Sequence, residues 1–371
     1  MNTVVALIKL AACAVNETVP DEDLIAELRS RDDLMKALLL FSKEHQMTAL
    51  TAYALQSGGI HNAEFERYRR QAAFFECTLD MDREMILGGM EKAGIWYMPM
   101  KGVILKELYP QPGMRQMADN DILFDADKAE KLKSIMESLG FTTELFDKNH
   151  HDVYIKAPIS TFEMHRMLFM HLEAYEKFYL YYDDIKSRLI KDEDSSYGYH
   201  FSDEDFYIYM IAHGYKHQSW RGTGLRTLLD LYVYLKKYKN TLDWSYIHQE
   251  LDKLGLAETE EENRNLALKV FSDVRPGENR DLSEKEIRLL NDFTEYGAYG
   301  SLDHIKKVIM NGLGRPHYLW RRIFLTMEEV EEYYPYFYKH KILLPLLPFY
   351  RLIVRGNSAK REIRMFFKVK K

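Results

Sequence analysis

The sequence predicts an α+β fold in which a small mixed sheet is flanked by helical regions on both sides. Three observations carry this prediction. Apolar residues recur every three or four positions from Val4 to about Gly94, as they do in helices that pack on one face. Short apolar runs bounded by turn residues follow as far as Leu168, and helical spacing returns from Asp203 onwards. The three expected regions are residues 1–93, 94–200 and 201–371.

Size and composition place the chain among globular proteins. It has 371 residues, of which 46% are hydrophobic and 29% charged, and it contains no low-complexity run. A chain of this length is too long for one ordinary core, so we expect more than one packed domain. The formal net charge of -6 argues against attraction to nucleic acid over the whole surface. Any polyanion would have to be held in a local basic groove.

Cysteine usage and apolar stretches predict a cytoplasmic protein without membrane spans. Cys13 and Cys77 have no CxxC spacing, which gives neither a disulfide framework nor a zinc site and favours a reducing compartment. The apolar start contains Lys9 and lacks a basic leading region, so a secretory signal is not expected. The stretch Ile342–Val354 is interrupted by prolines and an arginine, and it is shorter than the roughly 20 apolar residues that a span requires.

The sheet is predicted to begin after the N-terminal helices. Gly94–Met100 is a short apolar and aromatic run that leads into Lys101-Gly102, which predicts a strand followed by a turn. Helical spacing resumes from Val103 to Tyr109. After several turn residues, Met117–Phe124 predicts a second strand with polar residues two apart at one end.

The remaining elements follow from the same signals. Asp127–Leu139 predicts an amphipathic helix closed by Gly140, and two strands are expected after it, at Asp152–Lys156 and Ser160–Leu168. The helices predicted beyond Asp203 are Phe206–Tyr215, Leu225–Tyr238, Trp244–Leu254, Glu262–Phe271 and Glu284–Phe293.

Three carboxylates are the main candidates for chemistry. Asp119 and Asp121 stand two apart on a predicted strand, and alternate strand residues face the same side. A neighbouring strand carrying Glu163 would bring a third carboxylate to that face. Several carboxylates in one small volume are what divalent metal ions need when they clamp a phosphate group. The alternative interpretation of the aspartates is a pair that caps a neighbouring turn, and for Glu163 it is a solvated glutamate.

The turn at Lys101-Gly102 is the candidate phosphate contact. It lies between the first strand and its helix, where backbone amides at a helix N-terminus face outwards and glycine allows a close approach. Lys101 would add a positive charge, although it is also typical of a plain surface lysine.

Several segments of the chain together resemble a known family. They are Met100-Lys101-Gly102, Arg115, Ala118–Leu123, Phe162–His165, His213–His217, Gly224–Asp230 and Leu242–Trp244. The set is similar to the uncharacterised bacterial nucleotidyltransferases of the DNA polymerase β-like superfamily. The resemblance covers roughly residues 20 to 350.

The resemblance implies transfer of a nucleoside monophosphate from a nucleoside triphosphate (NTP) to an acceptor, with Mg²⁺ or Mn²⁺ as cofactor. It implies Asp119 and Asp121 as metal ligands, Glu163 as the third carboxylate and a nucleotidyltransferase core in the mixed region. The acceptor stays open between a small molecule, a protein side chain and an RNA end, and the oligomeric state is also open. The superfamily commonly has Gly-Ser or Gly-Gly at the turn, whereas Lys101 precedes Gly102 here and Val103 follows it.

Further candidates for binding nucleotide come with alternatives. His165 lies on the same predicted face as Glu163 and either contacts metal or phosphate or is a structural histidine. His213 and His217 stand four apart on a helix without the glutamate of a zinc protease motif, so they are expected to face the mixed domain and contact nucleotide or carboxylates, or else to pack between domains. Arg226 either reaches phosphate or pairs with Asp230 four residues on. Candidates of the same kind include Arg115, which adjoins the expected pocket.

Two other functions remain open on the sequence. The altered turn favours a catalytically inactive module that binds or senses nucleotide with the same fold. The basic, aromatic tail Lys360–Lys371 favours, more weakly, a protein that binds nucleic acid.

Overall fold

The computed structural model describes residues 1–148, 150–171, 175–272, 282–295, 297–298, 327, 330, 334–348 and 350. The architecture is α+β with helical flanks, which confirms the predicted fold class. Residues Met1–Ser301 form one compact unit, and residues Leu302–Lys371 form a second. The tail Lys360–Lys371 lies outside the described residues. The three regions expected from the sequence stay a prediction.

The N-terminal region is helical, as its apolar spacing predicts. Its helices are α1 (Thr3–Asn16), α2 (Glu22–Ser30), α3 (Asp32–Glu44), α4 (Thr48–Ser57) and α5 (Ala63–Ala93). Side-chain caps start several of them, since Asn2 accepts a hydrogen bond from the Val5 amide and Asn62 accepts from the amides of Glu64 and Phe65. The long helix α5 ends at Gly94, which adopts the left-handed conformation that glycine tolerates at a helix end.

A five-stranded mixed sheet follows α5. Its strands are β1 (Tyr97–Pro99), β2 (Asn120–Phe124), β3 (Thr142–Leu145), β4 (His151–Lys156) and β5 (Ser160–His165), in the spatial order β1-β2-β5-β4-β3. Strands β2 and β5 are parallel, and the other neighbouring pairs are antiparallel. Two short helices connect the strands, α6 (Gly102–Lys106) and α7 (Ala129–Ser138).

The strand predictions differ from the structure in four places. Strand β2 begins at Asn120 rather than Met117, so Asp119 precedes it, and β5 ends at His165 rather than Leu168. Strand β3 was not predicted, because its outward residues are polar. A separate two-stranded sheet of β6 (Ile190–Lys191) and β7 (Tyr199–His200) was missed as well, because two residues carry no periodicity.

The C-terminal part of the first unit is helical. Its elements are α8 (Glu176–Tyr181), α9 (Asp203–Arg221), α10 (Leu225–Tyr238), α11 (Trp244–Leu254), α12 (Ala257–Phe271) and α13 (Glu284–Glu295). Helices α10 and α11 have the predicted bounds, and α9 is longer at both ends, since it begins after the Ser202 cap and continues to Arg221. In the second unit, a short helix α14 (Pro335–Lys339) precedes a 3₁₀ segment, Lys341–Leu346.

The two faces of the sheet pack against different helices. Ile122, Phe124, Phe162 and Met164 face α5 and α7 in one apolar cluster. Leu123 belongs instead to a larger cluster built mainly from α1–α4 and α9–α12. Because strand residues alternate between faces, Asp121 and Glu163 are directed to the same side as Leu123, towards the helices of the larger cluster. Within the described residues, no helix combines the length and apolar character needed to cross a membrane.

Candidate functional site

Two carboxylates are paired across the centre of the sheet. Asp121 of β2 stands directly opposite Glu163 of β5 in the parallel register, which confirms the predicted neighbourhood of these two strands. Asp121 is buried, whereas the side chain of Glu163 keeps 28% of its surface exposed. The pair therefore combines one carboxylate inside the protein with one that reaches solvent.

His165 closes this pair into a cluster of three. It stands two residues after Glu163 on the same face of β5, and its Nε2 atom lies 2.8 Å from Asp121 Oδ1 and 3.5 Å from Glu163 Oε2. Asp121, Glu163 and His165 each offer a ligand atom, and these atoms all lie within 4.8 Å of one another. We call these three residues the carboxylate site.

Lys101 contacts the site from the turn between β1 and α6. Its Nζ atom donates to Asp121 Oδ1 at 2.5 Å. The backbone of Lys101 has φ 52° and ψ -115°, a conformation that favours glycine and costs roughly 1–3 kcal/mol for other residues. A lysine held in such a conformation at a buried carboxylate is typical of a functional constraint.

The charges of Lys101 and Asp121 stabilise each other. Burial alone would raise the pKa of Asp121, but Lys101 and His165 outweigh it and hold that pKa well below its ordinary value. Burial likewise acts to lower the pKa of Lys101, and the charge of Asp121 outweighs it, so this pKa is raised. Both groups are therefore ionised at neutral pH.

Asp119 lies beside the site and not within its closest group. It is half-buried in the chain just before β2. Burial and the repulsion of Asp121 and Glu163 raise the pKa of Asp119 to about 6. Among the described residues, the groups whose ligand atoms all lie within 4.8 Å do not include Asp119. Its role as a metal ligand stays a prediction, and the raised pKa means that its charge is costly until a cation approaches.

Gly102 and Arg115 belong to a structural contact. A Cβ atom on Gly102 would lie 2.4 Å from Arg115 Nη1, so glycine leaves room for the guanidinium. Arg115 donates from Nε and Nη2 to the two oxygens of Asp230 at 2.9 and 3.0 Å, and the Tyr109 hydroxyl donates to the same carboxylate at 2.7 Å. We call Tyr109, Arg115 and Asp230 the α10 clamp. The phosphate roles expected of Gly102 and Arg115 stay predictions.

Arg226 does not form the expected pair with Asp230, because Arg115 occupies that carboxylate. Its Nη1 atom donates instead to the Gln116 carbonyl at 3.0 Å and to the Gln46 side chain. The positive charge of Arg226 acts on Asp119 and opposes the rise in its pKa, which places this guanidinium on the side of the site where Asp119 lies.

Helix α9 carries His213 and His217 on the side of the carboxylate site where Lys101 lies. Their Nε2 atoms are 3.1 Å apart, and burial lowers the pKa of His213 well below its ordinary value, with Lys101 adding to the effect. One turn earlier is Tyr209, which is buried, and its hydroxyl has no hydrogen-bond partner among the described residues. Burial raises the pKa of Tyr209, on which the charges of Lys101, Asp121 and Glu163 also act.

Three residues near the site were not predicted from the sequence: Tyr209, His150 and His151. Tyr209 lies four residues before His213 and so on the same helical face, which was a usable signal. His151 is the first residue of β4 and His150 directly precedes it, and His151 is opposite His165 in the sheet. Burial lowers the pKa of His150 to about 2 and also lowers that of His151, so both are neutral at pH 7.

The donor set fits a divalent cation. Carboxylate oxygens at Asp121 and Glu163 are the ligands that Mg²⁺ and Mn²⁺ prefer, and an imidazole nitrogen at His165 is acceptable to Mn²⁺. The cation would meet Lys101 at the same Asp121 oxygen, so its binding requires the ammonium group to move aside. A triphosphate would give that group another anionic partner.

The fold and this cluster together define a class: α+β proteins with paired carboxylates on neighbouring strands of a mixed sheet. Comparison with known families narrows the class. The chain belongs to a family described as uncharacterised nucleotidyltransferase, whose family model matches residues 33–272. No curated protein and no solved structure matches the chain significantly.

Proposed function

We propose that this chain transfers a nucleoside monophosphate from an NTP to an acceptor hydroxyl at the carboxylate site. The observation that carries the proposal is the register of Asp121 opposite Glu163, with His165 in contact with both, in a chain of a nucleotidyltransferase family. In this proposal Asp119 is a further metal ligand, and the positive charge of the cation would compensate the negative charge of Asp119. The acceptor is a small molecule, a protein side chain or an RNA end.

The proposed reaction is a single displacement at phosphorus. Asp121 and Glu163 would hold the divalent cations, which would supply positive charge to the triphosphate and to the acceptor oxygen. The acceptor oxygen forms a bond to the α-phosphorus, the bond from that phosphorus to the bridging oxygen breaks, and pyrophosphate leaves with the electron pair. The acceptor proton passes to Glu163, which is the more exposed carboxylate of the pair.

Lys101 has two partners in this scheme. Without nucleotide it neutralises Asp121, which keeps the buried carboxylate ionised. With nucleotide bound, the ammonium would turn to the triphosphate, and the Asp121 oxygen that it leaves would be available as a metal ligand. His165 keeps its hydrogen bond to Asp121 and fixes the orientation of that carboxylate.

The experiment measures pyrophosphate release and incorporation of α-labelled NTP, with Mg²⁺ or Mn²⁺ and cell extract as the source of acceptor. Asp121→Asn and Glu163→Gln should each lower turnover by at least about a thousandfold, because several kcal/mol of charge stabilisation is lost. Asp121→Asn should also lower the thermal unfolding temperature, because the buried Lys101 then keeps only the weaker attraction of Glu163, so turnover is compared at a temperature at which circular dichroism shows the variant to be folded.

The matched controls are Asp127→Asn and Glu144→Gln, two exposed acids in the same mixed region. Both should keep wild-type turnover. Wild-type rates in Asp121→Asn and Glu163→Gln would rule out this mechanism.

The Lys101–Asp121 contact also supports a second candidate, a module that binds nucleotide without transferring it. An ammonium at 2.5 Å from the buried ligand oxygen competes with the cation that transfer requires. Calorimetry with Mg-ATP, followed by a product assay over long incubation, separates the two functions. Saturable binding without pyrophosphate release would favour the binding module.

A further inference from the structure

Three histidines meet at the end of the sheet, beside the carboxylate site. His151 of β4 and His165 of β5 are directly paired across the antiparallel ladder, so their rings lie on one face, with centroids 5.2 Å apart. The ring of His150 lies 4.5 Å from that of His151 and 5.5 Å from that of His165. One nitrogen of each ring lies within 4.8 Å of a nitrogen of each other ring. We call these residues the histidine site.

We propose that the histidine site binds a divalent transition-metal ion of the zinc class through His150, His151 and His165. This goes beyond nucleotidyl transfer, because nitrogen ligands hold such an ion whether or not the protein turns over NTP. The histidine site uses three ring nitrogens in place of carboxylate oxygens, and it shares only His165 with the carboxylate site.

The spacing of two of the nitrogens agrees with one shared ion. His150 Nε2 and His151 Nδ1 face each other at 3.3 Å. Two nitrogens bound to one tetrahedral zinc ion at roughly 2.0–2.1 Å stand about 3.4 Å apart. A hydrogen bond between the same atoms would require one of the two nitrogens to carry a proton. A metal ion instead binds the lone pairs of both nitrogens.

The surroundings of His165 match those of a metal-binding histidine. Such a histidine usually donates its other ring N–H to a carboxylate, which fixes the tautomer and the orientation of the ring. His165 is buried, and its Nε2 atom is engaged with Asp121 at 2.8 Å, so Nδ1 is the nitrogen that carries the lone pair. Among the described residues this Nδ1 atom has no hydrogen-bond partner. A buried, unpartnered ring nitrogen costs free energy that a metal ion would recover.

The donor type selects the metal. Imidazole nitrogen suits Zn²⁺, Co²⁺ and Ni²⁺, whereas Mg²⁺ prefers oxygen ligands and keeps several waters. Three histidines leave a fourth tetrahedral position for water or for an oxygen of a ligand. His151 Nε2 lies 4.0 Å from Glu163 Oε1, so the negative charge of the carboxylate site adds to the attraction for the cation.

The test titrates chelator-treated protein with Co²⁺ in the presence of excess Mg²⁺ and follows the visible absorption of the bound ion. The wild type should take up one equivalent with the intense bands of a tetrahedral site. His150→Ala and His151→Ala should each weaken Co²⁺ binding by at least about a hundredfold, since even the partners of metal ligands contribute up to that much. His200→Ala removes an exposed histidine of β7 and should leave Co²⁺ affinity unchanged.

X-ray absorption of the Zn²⁺-loaded wild type avoids any variant that fails to fold. The expected first shell contains three imidazole nitrogens. A shell of oxygens alone, absence of Co²⁺ binding in excess Mg²⁺, or unchanged binding by the His150→Ala/His151→Ala double variant would overturn the proposal. Neither measurement uses NTP, so failure of the transfer reaction leaves this test unaffected.

Discussion

Two buried charged clusters of this chain contain similar side chains but differ in how completely their polar atoms are hydrogen-bonded. In the α10 clamp, both oxygens of Asp230 accept hydrogen bonds, from Arg115 and Tyr109. In the carboxylate site, Lys101 and His165 are both hydrogen-bonded to the same oxygen of Asp121. Nearby, the Tyr209 hydroxyl and His165 Nδ1 have no partner within the described part of the chain.

The difference separates structural from functional chemistry. A buried ion pair with all its hydrogen bonds made fixes the position of the elements that carry it, and here it ties the chain before β2 to α10. A cluster with repelling carboxylates and unpartnered donors is more stable once a ligand supplies the missing charge. Asp119 is an example, because burial and the charges of Asp121 and Glu163 raise its pKa to about 6.

The largest effect on stability is expected at the clamp. Asp230→Ala leaves the guanidinium of Arg115 buried without a counterion, which should lower the free energy of unfolding by about 3–5 kcal/mol. Urea unfolding monitored by circular dichroism measures it. Binding of Mn²⁺ by the folded fraction should persist, because Asp121 and Glu163 are unchanged.

The double variant Arg115→Met/Asp230→Leu is the control for this prediction. It removes both charges and should regain most of the lost stability, because no unpaired charge remains buried. If Asp230→Ala costs less than about 1 kcal/mol, the clamp does not hold the fold as described.

The next largest effect is a change of about 3 kcal/mol in the free energy of unfolding with pH, and it is expected from His45. Burial lowers the pKa of His45 to about 4, and its Nδ1 atom accepts from the Leu225 amide at the start of α10. Between pH 6.5 and about 4 the unfolded chain takes up a proton that the folded chain refuses, so stability falls as pH falls through this window.

His45→Asn isolates this contribution, because asparagine keeps an acceptor for Leu225 and does not titrate. His150, His151 and His213 also have lowered pKa values and contribute with the same sign, so the difference between wild type and variant is the quantity to measure. Equal slopes of unfolding free energy against pH in both proteins would refute the role of His45.

The smallest expected effect is a difference of about 1 kcal/mol in the free energy of unfolding between two variants of Lys101. Lys101→Gly and Lys101→Ala both remove the ion pair, but only glycine adopts φ 52° without strain. Lys101→Gly should therefore unfold at the higher urea concentration. Both variants should bind Mn²⁺ more tightly than the wild type, since the competing ammonium is gone. Equal stability of the two variants would show that Lys101 is unstrained.

Much of the fold follows from sequence because it depends on local signals. Leu225–Tyr238 and Trp244–Leu254 have strong helical periodicity, and the structure gives both helices the predicted bounds. Thr142–Leu145 was missed because this edge strand, with polar residues outward, has no apolar alternation to detect.

The site was predicted only as far as its residues lie on elements with a clear pattern. To predict that Asp121 and Glu163 are close, it was enough to identify two strands and to assume that they pair. The partners of Arg115 and Arg226 depend on how α10 packs, which sequence spacing does not contain. The meeting of His150, His151 and His165 depends on the register of β4 against β5, which a single sequence does not define.

The most direct test of the central claim is a crystal structure with Mn²⁺ and a non-hydrolysable NTP, using anomalous scattering to place the metal. We expect Mn²⁺ bound to Asp121 and Glu163, with Lys101 turned from Asp121 to the triphosphate. Nucleotide and metal bound elsewhere, with the Lys101–Asp121 contact intact, would contradict it.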